Sequence, residues 1–431
     1  MLDIQFIREN ADLVQQKSKQ KNVDINIGEL LELDNKKREI QAKIEDLREQ
    51  RNKLTANLTS KPSDEDIQRG SKLKAELGEL EAGLKPIEDD YLALLKQVPN
   101  MPTDDVPVGA TEEQNVIAKE WGDKRDFDFK PKPHWDVAEP RDLIDRERAT
   151  KVSGPRFAYI KGGLVELQFA LINFVMSLLS DEQIIEKLIK ENNLQLMVKP
   201  FMPILPPMMM KTDIYEATGR LKAEEVTYKL SEDELWLIGS AEHSMVSMYA
   251  NEVLDHKDLP IRYLGYSTSF RREAGTYGKD TKGIIRLHHF DKLEMEVFST
   301  PETSLDEHKL LVAVQEHLTQ ELGIPYHLIL KCTADIGGPN ARGVDIDMWM
   351  PGQEVYKETH TADYMTDYQA RDLKTRFKRE NGTIDLVHNN DATALAMSRT
   401  LAAIIENYQT QDGKIIVPER LRPYMGGKEE I

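Results

Sequence analysis

Hydrophobic positions in this chain repeat with two different periods, and the change between them divides the sequence. Leu33, Ile40, Ile44, Leu47, Leu54 and Leu58 fall at seam spacing, with Lys37 and Arg51 in the slots that interrupt it. Farther on, Leu73, Leu77, Leu80, Leu84, Ile87, Tyr91, Leu94 and Val98 recur in alternating steps of four and three without a miss. Such a repeat is a heptad seam. The stretch TSKPSDED parts the two runs, so the pattern predicts two helices folded back as an antiparallel hairpin, each roughly 40 Å long at 1.5 Å per residue.

The heptads stop at QVPNMPTDDVPVG, whose three prolines and one glycine mark a domain boundary near residues 100–110. Beyond it the spacing predicts a helix from Leu164 to Leu179 and then two segments of period two between Pro260 and Val297. In the first, Leu264, Tyr266, Thr268, Phe270 and Arg272 share one parity, and Gly265, Ser267, Ser269, Arg271 and Glu273 share the other. In the second, Ile285, Leu287, Leu293, Met295 and Val297 oppose Arg286, His288, Phe290, Lys292, Glu294 and Glu296. Both read as half-buried strands. Paired antiparallel, they gather arginines, an aromatic ring and several carboxylates on one sheet face, which points to a charged or flat ligand there. The connecting loop, Ala274 to Gly283, is rich in glycine and carries Lys279 and Lys282. It is permissive in backbone and positive in charge.

Bulk properties narrow the picture. With 431 residues the chain exceeds one ordinary core, so two or three domains are expected. A net charge of -18 excludes indiscriminate nucleic-acid binding and confines any RNA contact to a local surface. The single cysteine, Cys332, excludes an internal disulfide and a thiolate-rich zinc site within one chain. No apolar run reaches about 18 residues and MLDIQFIREN lacks a signal-peptide core, so a cytoplasmic protein without membrane association is expected.

The phrase FRRE followed by HHFDKLEM resembles the second signature motif of class II aminoacyl-tRNA synthetases. NNLQLMVKPFMPILPP is similar to the first motif, with Pro200 ending a strand at a dimer interface. LVHNNDATALAMSRTLAAIIENYQ is similar to the third. The heptad hairpin, MLDIQFIREN, VPNMPTDDVPVG and DGKIIVPERLRPYMGG together resemble seryl-tRNA synthetases of the bacterial and eukaryotic type. The resemblance covers essentially the whole chain. It implies an α+β protein, with a tRNA-binding domain at 1–108 whose coiled-coil arm spans about 28–98. A class II catalytic domain at 109–431 follows, an antiparallel β-sheet flanked by helices.

It further implies serine, ATP and tRNA-Ser as substrates, with tRNA-Sec where an organism has it, in a homodimer that needs magnesium with ATP and no zinc. Joining serine to ATP brings a carboxylate against a phosphate, and Arg271 matches the guanidinium that bridges both. Glu273 matches the reader of the adenine amino group, Phe290 the stacking ring and Arg399 the grip on the γ-phosphate. Arg271, Glu273 and Arg399 are thereby the catalytic set. Glu358 and Thr361 match the ligands of ATP-bound magnesium. Arg272, Leu287, His288, His289, Thr359 and His360 complete the expected ATP-binding stretches. Ser240, Ala241 and Glu242 match the Thr-Ala/Ser-Glu that contacts the amino acid, with Glu294 as pocket carboxylate and Thr393 as pocket hydroxyl.

The chain departs from the family at Ser240 for Thr, at Asn193 for Gly, at Ala362, Asp363 and Tyr364 for Cys-Ser-Asn, and at Asp391 and Ala392 for Asn and Gly. The last two are expected to line one end of the pocket. Asn193 is the residue most tolerant of a left-handed backbone after glycine. A non-catalytic paralogue that binds tRNA or serine is the competing reading. It is disfavoured because Arg271, Glu358 and Arg399 are all present. A coiled-coil scaffold with an inert globular end is disfavoured by the charged sheet face.

Overall fold

The structure, a computed structural model, describes residues 1–56, 63–221, 227–273 and 282–431. Leu58, the first part of the turn at 59–66 and positions 274–281 of the glycine-rich loop lie outside the described residues. The chain divides into two compact units, Met1–Met101 and Pro102–Ile431.

In the first unit two short helices, Ile4–Glu9 and Ala11–Gln20, precede two long ones, α1 (Ile27–Ala56) and α2 (Asp64–Leu95). Ile44 and Leu47 of α1 pack on Leu73 and Leu77 of α2, with Ile40, Leu54, Leu80 and Leu84 partly buried beside them. Arg48 reaches Glu81 and Gln41 reaches Glu88, so a step of seven along one helix is a step of seven backwards along the other. The pair is antiparallel. Ser63 starts α2 through a capping box with Asp66. Lys37, the charged interruption of the seam, lies 3.5 Å from the centre of the Tyr91 ring and 3.9 Å from Asp34. Its charge is thus answered where a heptad slot would hold an apolar side chain.

The second unit is built on an eight-stranded sheet. Its strands are β1 (Val116–Trp121), β2 (Met202–Ile204), β3 (Ile261–Phe270), β4 (His289–Ser299), β5 (Tyr326–Leu330), β6 (Arg342–Met350), β7 (Val355–Thr366) and β8 (His388–Ala396). Across the sheet they run β1-β5-β6-β7-β8-β4-β3-β2. All neighbours are antiparallel except the edge pair β2 and β3. Leu293, Met295 and Val297 of β4 turn to the core together with Val344, Ala362, Ala392 and Ala394. Helices α3 (Gly163–Leu179), α4 (Ser304–Glu321) and α5 (Met397–Asn407) supply Leu167, Leu171, Leu310, Leu311, Val314, Leu401 and Ile405 to the same core. The period of two then leaves the opposite face polar.

Three expectations need correction. The central strands are shorter than their alternation suggests, because β3 stops at Phe270 and β4 starts at His289. Beyond a last bond from the Arg271 N–H to the His288 carbonyl at 2.8 Å, donors there are taken elsewhere: the Ile284 N–H by His134 Nε2 at 3.1 Å and the His288 N–H by the Arg156 carbonyl at 3.0 Å. Pro200 does not end a strand. Residues 194–200 form no strand, and the Arg262 guanidinium takes the Met197 and Lys199 carbonyls at 3.2 and 2.5 Å. Finally, Ala392 lies on the core side opposite Met295 and Ala362, away from the polar face of the sheet. Asn193 does take a left-handed backbone, with φ of 52°. No single helix among the described residues is long and apolar enough to cross a membrane.

Arg262 is fully buried and is matched by Glu307 through two contacts of 2.8 Å. Removing one partner of such a pair leaves an uncompensated charge in the interior. Glu307→Ala is expected to destabilise the protein by about 3–5 kcal/mol, read as a clear fall in the thermal midpoint. An unchanged midpoint would mean that the two carbonyls alone satisfy the guanidinium.

Candidate active site

The polar face of the sheet opens into a cleft lined by Arg271, Glu273, Leu287, Phe290, Lys292, Glu358, Thr359, Thr361, Thr393 and Arg399, with Ile285, Arg286, Ala396 and Ser398. Arg271 leaves the end of β3 and is aimed by a hydrogen bond from its Nε to the Gly239 carbonyl at 3.0 Å. Its guanidinium lies 5.3 Å from the centre of the Phe290 ring. Glu273, with φ of 51°, bends back so that Arg286 donates to it at 3.1 Å. Across the cleft, Arg399 on α5 donates to both Oε1 and the carbonyl of Glu358, at 2.7 and 2.8 Å.

Glu358 and Thr361 are three apart, a spacing that in a regular strand sends side chains to opposite faces. Between Ile346 and Asp347 the β6–β7 register slips: Ile346 pairs with His360 and Asp347 with Glu358, leaving Thr359 unpaired. That bulge brings Glu358 and Thr361 to the same cleft. Half of the Glu358 side chain is open to solvent. The protein atoms crowded around it would raise its pKa, but the charges of Arg399 and Lys331 outweigh this and hold it down to about 2. Both groups offer hard oxygens, and one is firmly ionised, which suits magnesium held together with a polyphosphate. Beneath them Asp345 is pushed up to about 8 by burial, against the pull of Lys331 at 3.2 Å.

At the inner end of the cleft Lys292 contacts Glu294 and donates to Ser240 Oγ at 3.0 Å, while that hydroxyl donates to Glu294 at 3.0 Å. Glu294 is fully buried, and its Oε1 has no hydrogen-bond partner among the described residues. Burial pushes it up to about 7 against the pull of Lys292, with Glu242 adding to the rise. Oxygens of Glu242, Glu294 and Asp391 all lie within 4.8 Å of one another. Gly265, opposite Glu294 on β3, lets the Ser240–Glu242 turn sit this close: a Cβ there would stand 2.5 Å from Met245 Sδ and 3.3 Å from Ala241 Cβ.

The structure thus brings Arg271, Glu273, Leu287, Phe290, Glu358, Thr359, Thr361, Thr393 and Arg399 to one cleft, with Ser240, Glu242 and Glu294 at its base. It does not bring all expected residues there. Ala241 is buried in an apolar cluster with Met245 and Tyr263. His360 is buried on the core parity with Ala362, and its Nδ1 meets Thr359 Oγ1 at 2.8 Å. Arg272, His288 and His289 stand beside the cleft: Arg272 lies over the Tyr228 ring, and both histidines lie against Phe157. Of the departures at 362–364, Asp363 shares the site parity, paired across the strands with Asp391.

Sequence reasoning missed Lys292, although its place in the polar parity was visible, and it missed His243 and Arg220. His243 Nδ1 accepts from Tyr215 Oη at 2.6 Å and from the Gly239 N–H at 3.2 Å, so the ring proton sits on Nε2, 3.4 Å from Glu242. This chain fixes Glu242 and also the glycine that aims Arg271. Nothing local in the sequence signals it.

Comparison with known proteins places this geometry. The seryl-tRNA synthetase N-terminal domain family matches residues 1–102, and the tRNA synthetase class II core domain family (G, H, P, S and T) matches residues 225–408. The serine–tRNA ligase of Exiguobacterium sibiricum is 39% identical, with all of each chain covered. The crystal structure of seryl-tRNA synthetase from Pyrococcus horikoshii complexed with ATP superposes with a TM-score of 0.87 at 36% identity, covering 100% of this chain and 99% of that one. The cytoplasmic serine–tRNA ligase of Naegleria fowleri in complex with AMP gives a TM-score of 0.84 at 26% identity, covering 100% and 98%. By its sequence over its full length and by its fold, the chain belongs to the seryl-tRNA synthetase family.

Proposed function

We propose that the cleft joins L-serine to ATP as seryl-adenylate, releasing pyrophosphate, and that the seryl group then passes to a hydroxyl at the 3′ end of tRNA-Ser as AMP leaves. The observation that supports this reading is the Phe290 ring beside Arg271 in a cleft whose Lys292 contacts a buried carboxylate with an unpaired oxygen. Phe290 and Glu273 hold the adenine. Arg271 lies between the serine carboxylate and the α-phosphate and lowers the repulsion as the carboxylate oxygen attacks phosphorus and the bond to the leaving pyrophosphate breaks. Arg399 holds the γ-phosphate, and Glu294 with Glu242 receives the serine ammonium. Positioning and charge stabilisation suffice without a covalent enzyme intermediate.

Glu358 and Thr361 would hold magnesium with the triphosphate, where it supplies positive charge to the phosphate oxygens. The domain at 1–108 grips the tRNA through its arm, and the catalytic domain at 109–431 acts in a cytoplasmic homodimer. Exposed Met197, Met202, Leu205 and Met209, clustered around β2, support that dimer face.

Arg271→Ala is expected to lower serine-dependent exchange of labelled pyrophosphate into ATP by about 10²–10³-fold while leaving the far-UV circular dichroism unchanged. Retained exchange would move the ATP site elsewhere. The ionised form of Glu294 is the one that attracts an ammonium, so kcat/KM for serine should fall as pH drops through about 7. Glu294→Gln should flatten that limb and lower the value above about pH 7, where the carboxylate is ionised; a limb that survives belongs to another group. Trimming the arm between Lys36 and Leu94 should spare exchange and impair tRNA charging, and equal charging by the trimmed protein would refute the arm's role.

A further inference from the structure

Asp363 and Asp391 face each other directly across β7 and β8, on the polar side of the sheet and nearly closed to solvent. Like charges directly opposite in a sheet repel, and more strongly out of water. Both residues are departures from the neutral side chains of the family. One cation answers both. Arg220 Nη2 lies 3.0 and 3.4 Å from the two Asp391 oxygens and 3.3 Å from Asp363 Oδ2, and its Nε lies 3.7 Å from Glu242. The backbone that delivers it is fixed: the Arg220 N–H donates to Thr218 Oγ1 at 3.0 Å, Gly219 takes a φ of 67°, and Gln369 donates to the Thr218 carbonyl at 2.8 Å.

Two cations, Arg220 and Lys292, therefore stand among Glu242, Glu294, Asp363 and Asp391. An arriving ammonium needs the first two carboxylates, and Arg220 is committed chiefly to the other two. Without it, Asp391, whose oxygen is within 4.8 Å of both Glu242 and Glu294, would compete for that ammonium and draw it toward the pocket floor.

We propose that Arg220 is a positioning residue for amino-acid recognition: by neutralising Asp363 and Asp391 it leaves Glu242 and Glu294 to seat the substrate ammonium and closes the pocket floor. The inference rests on the reading of this pocket as the serine site. It assigns to Arg220 an effect on serine and none on ATP, whose cleft residues it does not touch.

The test is pyrophosphate exchange by the full-length protein, with serine and ATP varied separately. Arg220→Gln should raise KM for serine at least tenfold, with KM for ATP within twofold of the unaltered protein. Arg220→Lys should recover part of the loss, since it restores the charge without the planar fork. Arg220→Gln combined with Asp363→Ser and Asp391→Asn should recover most of it, because the carboxylates that needed the cation are gone. An unchanged serine KM in Arg220→Gln, an equal rise for ATP, or a triple variant no better than the single one would each overturn the proposal. If Arg220→Gln does not fold, the triple variant decides: a serine KM near that of the unaltered protein supports the proposal and a tenfold rise overturns it. If the unaltered protein shows no serine-dependent exchange, the reading of the pocket itself falls, an outcome distinct from normal exchange with no effect of Arg220→Gln.

Discussion

One face of this sheet must keep ionised groups apart from water and still leave them available to a ligand. A buried carboxylate without a partner neutralises itself by taking up a proton, and a buried pair without good geometry gains little over an apolar contact. The structure meets this by giving the carboxylates of that face cations, most of them from other elements. Glu358 has Arg399 from α5, Asp345 has Lys331 from the end of β5, Glu294 has Lys292 from its own strand, and Asp363 with Asp391 has Arg220 from a turn. Because the ladder holds the strands at fixed spacing, the carboxylates they carry keep fixed positions relative to one another. That is the condition under which fixed charges stabilise a reacting phosphate better than water does.

The pairing is uneven, and the unevenness has direction. At the outer end Glu358 is held to about 2, so a charged oxygen is present at any ordinary pH. At the inner end Glu294 is pushed up to about 7, and Glu296 is raised well above the usual carboxylate range, both chiefly by burial. The inner pocket therefore holds more carboxylates than cations. An ammonium supplies positive charge there, whereas a hydrocarbon of the same size does not. The proposed seating of the substrate ammonium at the inner end thus follows from where the sheet places its surplus carboxylates.

How much of this the sequence disclosed depends on the range of the interaction. The seam of the arm and the apolar parity of β4 follow from local periods, and they reappear as Ile44 with Leu73 and as Leu293, Met295 and Val297 in one core. Where the alternation ends was not disclosed, because His134 and Arg156, far away in the chain, decide which backbone groups join the ladder. Arg220 escaped notice for the same reason: its partners are 143 and 171 residues away. The assignment of Ala392 to the pocket failed on parity alone. It neighbours Asp391 in sequence, and a strand sends neighbours to opposite faces.

The same rule makes the bulge in β7 more than a local irregularity. A strand of unbroken period could offer Glu358 or Thr361 to the cleft, never both, since they are an odd number of residues apart. One extra residue between Ile346 and Asp347's partners changes the parity on one side of Thr359 only. The consequence reaches in both directions: Thr361 and Asp363 keep the face of Asp345 and Asp391, and Glu358 joins them beside Arg399. The pair of oxygens proposed to hold magnesium is thus a property of the register between two strands. No residue-by-residue reading of KETHTAD contains it, and a substitution that relaxed the bulge would turn Glu358 away from the cleft without altering either ligand.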